Sequence, residues 1–147
     1  MQNPNPWQSY RQVATLTATP GQLVLMLYDG AIRFLEQART GFAHDDPLEF
    51  NQTINNHVLK AQAIINELNL HLDMEGGGDC ARNFRRLYDY LDRRLQESNQ
   101  RKEEAGILEV IRRLTVLRNA WAEMLQQRPA GGTAEAGPSN APLFAVG

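Results

Sequence analysis

The chain has 147 residues, 42% hydrophobic and 22% charged, enough apolar material for one core and too little polar bias for a disordered chain. A formal charge of −2 disfavours a globally basic nucleic-acid binder, and a single cysteine excludes an internal disulfide or a cysteine-built zinc site. No apolar run approaches the roughly 18 residues of a membrane span, and the opening MQNPNPWQSYRQ lacks the basic and apolar regions of a secretory signal, so a soluble, cytoplasmic, one-domain protein is expected.

Residues 1–18 hold Pro4, Pro6, Trp7 and Tyr10; the prolines argue against helix at the start, and the two aromatics are large apolar groups in a polar arm. Thr19 then caps a helix that Pro20 opens, where a missing N–H is harmless, and Gly41 stops it near Thr40. Its first turns, Leu23 to Tyr28, are apolar on every side, as in a helix buried on more than one face. Asp46 and Pro47 repeat the start signal. The second helix carries Ile54, Val58, Ala61, Ile65, Leu68 and Leu72 at alternating spacings of four and three, a bundle seam, and is expected to run to Gly76-Gly77-Gly78.

Asp79 is the expected cap of a third helix with the seam Cys80, Phe84, Leu87, Leu91 and Leu95, ending near Ser98-Asn99. A fourth starts at Glu103 or Glu104, where acids suit a helix N-terminus. It carries Ile107, Ile111, Leu114, Leu117, Trp121 and Met124 and ends before Pro129. Residues 128–147 lack periodicity and read as a disordered tail in which Leu143, Phe144 and Val146 could form a weak local patch. Short links between four long amphipathic helices predict an all-α, antiparallel up-down four-helix bundle over residues 19–127, with an N-terminal arm and a C-terminal tail.

Catalytic and metal-binding patterns are missing from this reading. No histidine follows a glutamate by three, as a di-iron bundle requires, and Glu67 with His71 reads as a solvated helix pair. Cys80, on the seam, reads as a small buried hydrophobe. The glycine run lacks the following Lys-Ser/Thr of a phosphate loop. Arg82, Arg85, Arg86, Arg93 and Arg94, with Arg112, Arg113 and Arg118, read as a solvated face mixed with Asp89, Asp92 and Glu109. The alternative is a regulatory adaptor that docks an acidic protein or nucleic acid there.

The notable surplus is apolar. Val24, Met26, Tyr28, Tyr88, Tyr90, Val110, Val116 and Leu125 fall partly or wholly outside the narrow seams. They either widen the core or leave grooves fit for a partner helix. A binding module is favoured over an enzyme.

Tyr10, Thr17-Ala18-Thr19-Pro20, Gln22-Leu23 and Met26-Leu27-Tyr28-Asp29-Gly30-Ala31 resemble the opening of the flagellin export chaperone family (FliS). The agreement continues through Ile64–Leu68, Leu72-Asp73, Gly77-Gly78-Asp79, Asn83-Phe84, Leu87-Tyr88-Asp89-Tyr90, Arg94-Leu95, Glu109-Val110, Leu114, Leu117-Arg118 and Ala120-Trp121. It covers about residues 7–126. It implies an antiparallel helical bundle without enzymatic activity or cofactor. Such a bundle binds the C-terminal segment of new flagellin in the cytoplasm, prevents premature polymerisation and keeps the subunit competent for flagellar type III export. The export apparatus or a co-chaperone would be a further partner. The family's arm carries an apolar residue three before the tyrosine, which places partner contact at Trp7 and Tyr10. Tyr28, Tyr88 and Tyr90 are the groove candidates; Leu23, Leu27, Ile65, Leu87, Leu91 and Trp121 are expected in the core. Cys80 and Phe84 depart from the family's usual aliphatic residues.

Overall fold

A computed structural model describes residues 19–127. The arm with Trp7 and Tyr10, and the tail with Leu143, Phe144 and Val146, lie outside them. The described residues form α1 (Pro20–Thr40), a 3-10 turn (Gly41–Ala43), α2 (Pro47–Leu70), α3 (Gly78–Arg101) and α4 (Glu104–Gln127).

The first two starts follow local chemistry. Thr19 Oγ1 accepts from the Gln22 N–H at 3.2 Å, and Gln22 Oε1 accepts from the Thr19 N–H at 3.0 Å. This reciprocal pair closes α1's first turn ahead of Pro20. Asp46 caps α2 through Glu49 N–H at 3.1 Å.

The link between α2 and α3 differs from expectation. Helix α2 stops at Leu70, before the glycine run. There Leu72, only 5% exposed, turns into the core, and Asp73 binds Gly76 N–H through its carboxylate and Gly77 N–H through its carbonyl, each at 2.8 Å. The cap of α3 is Gly77, without a side-chain bond; Asp79 sits in the first turn and pairs with Arg82. Cys80 is exposed, not a seam residue; Ala81 is buried in its place. Helix α3 runs past Ser98 and Asn99, which are buried, to a left-handed Lys102. The Lys102 ammonium donates to the Asn99 carbonyl at 2.7 Å.

The helices close a ring in which α1 and α3 each pack on α2 and α4. Antiparallel order shows in the ties between α1 and α4. Arg39 Nε reaches Glu104 at 3.0 Å, Arg118 Nε reaches Asp29 at 2.7 Å, and Trp121 Nε1 donates to Gly21 O at 2.8 Å. Fully enclosed aliphatics fill the centre: Leu35 of α1, Ile54, Val58, Ile65 and Leu68 of α2, Leu91 and Leu95 of α3, Ile107 and Leu114 of α4. Two glycines permit close approach. A Cβ at Gly41 would meet Ile54 Cγ1 at 2.8 Å, and one at Gly106 would meet Ser98 Cβ at 2.8 Å.

The edge between α2 and α3 is polar. Asn99 donates to Asn55 at 2.9 Å, Gln62 to the Asp92 carboxylate at 3.0 Å, and Asn69 to Asp89 at 3.0 Å. Arg85 also donates to the Asn69 side chain and carbonyl. The α2 members recur every seven residues, so the amides form a ladder along the helix pair.

Candidate functional site

The three tyrosines expected in a groove have other surroundings. Tyr28 and Tyr88 are 2% and 0% exposed. Their hydroxyls meet at 2.5 Å across the centre of the ring, from α1 to α3. The position of each was ambiguous between seam and groove. The structure corrects the groove reading, because each phenol body fills the core and each polar tip finds the other. Burial pushes the Tyr28 hydroxyl up to about 12 and raises that of Tyr88 further, so both are neutral hydrogen-bonding groups.

Tyr90 is half-buried on the α3 flank. Its hydroxyl donates to Glu109 at 2.6 Å, and the Arg113 guanidinium lies over its ring at 5.5 Å. Glu109 also accepts from Arg94 at 2.8 Å and Arg113 at 2.9 Å. These donors, Tyr90 first, hold its carboxyl down at about 2. Tyr90 thus joins α3 to α4, with one ring face already covered.

The arginines read as a possible docking face are drawn into similar ties. Arg85 reaches α2, Arg94 reaches α4 and Arg118 reaches α1. Among the described residues no group of three or more His, Cys, Asp or Glu could hold a metal ion, and no helix is long and apolar enough to cross a membrane. His57 and His71 place Nδ1 at 2.7 Å from the carbonyl four residues back.

Incompletely covered apolar side chains gather at one end of the bundle, where α1 begins and α4 finishes. The buried residues of α4 stop at Leu114. Beyond them Leu117, Trp121, Met124 and Leu125 are only half-buried. Leu23 and Leu27 of α1, Met74 of the link, and Phe84 and Leu87 of α3 share that state at the same end. Sequence reasoning placed Leu23, Leu27, Leu87 and Trp121 in the core, since their spacing continues the seams. Position carries the signal for three of them: Leu23 and Leu27 lie in the opening turns of α1 and Trp121 near the end of α4, beside the ends of the described bundle.

Residues 2–128 match the family described as Flagellar protein FliS. The chain belongs to the FliS family. It is 35% identical over 122 residues to the flagellar secretion chaperone FliS of Bacillus subtilis, covering 83% of this chain and 87% of that one. It is also 35% identical to the protein of the same name from Salmonella typhimurium, over 80% of this chain and 87% of its relative. The Campylobacter jejuni FliS is 32% identical, over 84% and 94%. FliS proteins are chaperones, not enzymes. Tyr28 and Tyr88, from the two strings most particular to the FliS resemblance, are the residues that bond each other in the core.

Proposed function

We propose that this FliS-family chain is a cytoplasmic chaperone that binds the C-terminal segment of flagellin, prevents its premature polymerisation and keeps it competent for flagellar type III export. The observation that carries this reading is the similarity to relatives named flagellar secretion chaperones, along nearly their whole length. The half-buried apolar end supports it physically. A segment that is disordered alone can fold as an amphipathic helix against such a surface. Trp7 and Tyr10 precede α1, whose start lies at that end, and are assigned here to partner contact, with Leu117 and Trp121 as part of the receiving surface. An export-apparatus component or a co-chaperone is a further partner in this reading.

Co-purification with the same organism's flagellin, with and without its C-terminal segment, tests the proposal. Binding lost on deletion is expected, and binding that survives deletion overturns it. Tyr10→Ala should weaken the complex while leaving chemical denaturation almost unchanged. Leu91→Ala, at a fully enclosed position, should instead cost about 2–5 kcal/mol of stability. Equal destabilisation by both would refute this division between contact and core.

A further inference from the structure

The FliS relationship leaves one stretch of sequence without a role. The family match stops at residue 128. Beyond it, residues 129–141 contain a single charge, Glu135, and no apolar side chain larger than proline. Leu143, Phe144 and Val146 then follow within four residues. The bundle leaves an apolar surface partly uncovered at the end from which residue 128 departs. Leu117 and Trp121 of α4, Leu23 and Leu27 of α1, and Phe84 and Leu87 of α3 are half-buried there.

We propose that the cluster Leu143, Phe144 and Val146, with Phe144 as its anchor, docks in cis on the open end of its own bundle. Reach favours this occupant. Leu117 stands ten residues before Gln127, so the surface along α4 begins within about 15 Å of the last residue of the helix. The seventeen residues from Gln127 to Phe144 span an r.m.s. distance of about 20–25 Å, which covers that surface without stretching. A tether of this length gives an effective concentration in the millimolar range. A cluster whose untethered affinity is only about millimolar is then docked about half of the time. The chemistry matches as well. One aromatic and two aliphatic side chains meet leucine, phenylalanine and tryptophan, so apolar area leaves water and no charge is stranded. Once docked, the cluster occupies the surface assigned above to flagellin. It acts as a weak internal competitor, covering the open end in the free chain and yielding to a longer partner segment. The competition rests on the flagellin reading; the docking does not.

The full chain carries its own probe site. Cys80, its single thiol, is exposed in the first turn of α3 at the open end. A nitroxide attached there should broaden the amide signals of Ala145 and Val146 in NMR spectra. The Leu143→Ser/Phe144→Ser variant, altered only outside the bundle, should relieve that broadening at an unchanged melting temperature. A nitroxide placed at the opposite end, by Asp45→Cys in a Cys80→Ser background, should leave both signals sharp. The same double serine variant should bind a peptide of the flagellin C-terminal segment about two- to tenfold more tightly than the parent. Broadening that persists in the variant, or that is confined to Trp7 and Tyr10 of the arm, would overturn the proposal. So would a peptide that binds parent and variant equally, since the cluster would then lie elsewhere. A peptide that binds neither chain would overturn the flagellin reading, while relief of the broadening would still support the docking.

Discussion

Tyr28 and Tyr88 show how much a single polar atom decides in an enclosed place. Each hydroxyl has the other as its partner at 2.5 Å. Replacing one by Phe strands the second, which should cost about 1–3 kcal/mol in urea unfolding. Replacing both should cost less than the sum of the single changes, as a double-mutant cycle would show. The pair also predicts a pH limit. Tyr28 is raised from 10.0 to about 12 in the folded chain and Tyr88 is raised as well, so folding favours the protonated phenols. Their contribution is fully present below pH 10, where the unfolded chain is also protonated. It is lost as pH rises towards 12, where only the unfolded state releases protons. The Tyr28→Phe/Tyr88→Phe double variant should lose less stability than the parent over that interval. From sequence, both tyrosines were legible as surplus apolar residues. Their meeting was not, because it joins residues sixty apart through a packing geometry that periodicity does not encode.

At the scale of elements, starts were readable and some ends were not. Thr19-Pro20 and Asp46-Pro47 act through neighbouring backbone N–H groups, so a local reading finds them. The end of α2 at Leu70 depends on burial of Leu72 and on Arg85 arriving from α3 to bind the Asn69 carbonyl. The glycine run was the more visible signal but not the operative one. The α3 N-terminus shows the same limit, since the exposed position of Cys80 follows from a start at Gly78. Helix α3 is held partly by polar groups, the amide ladder on one side and Glu109 on the other. Glu109 lies near 2, below its ordinary 4.5, with Tyr90 as the largest cause. Its stabilising contribution is therefore present above pH about 4.5 and lost as pH falls towards 2, where only the unfolded chain first takes up the proton. Glu109→Gln should lower the melting temperature at pH 7, and the gap to the parent should narrow as the melts are taken towards pH 2.

For the whole molecule, the bundle and its helix order were legible because four seams and short links allow few arrangements. The apolar surplus was legible as a quantity but not as a place. Val24 and Val110 went into the core, Val116 stayed out, at 68% exposed, and Leu117 and Trp121 took the intermediate state at the open end. Helical spacing reports which side of a helix a residue occupies. It does not report how far along the bundle its neighbours cover it, so residues whose spacing reads as core, Leu117 and Trp121 among them, are left half-buried. The charged ties follow the same division. Asp29, Arg94, Glu109 and Arg118, all within strings that carry the FliS resemblance, bind one another between helices.

The bond between Trp121 and Gly21 brings the last turns of α4 beside the first turn of α1. Thr19 and Gln127 therefore leave the bundle from neighbouring points, and chain order becomes separable from architecture. A circular permutant that joins these two residues by a short linker should keep all four helix contacts. Its new termini would open within the exposed stretch from His44 to Asp46, at the opposite end. Matching circular dichroism and a cooperative melt would show that the bundle is specified by its faces; a molten product would show that it needs α1 and α2 joined in sequence.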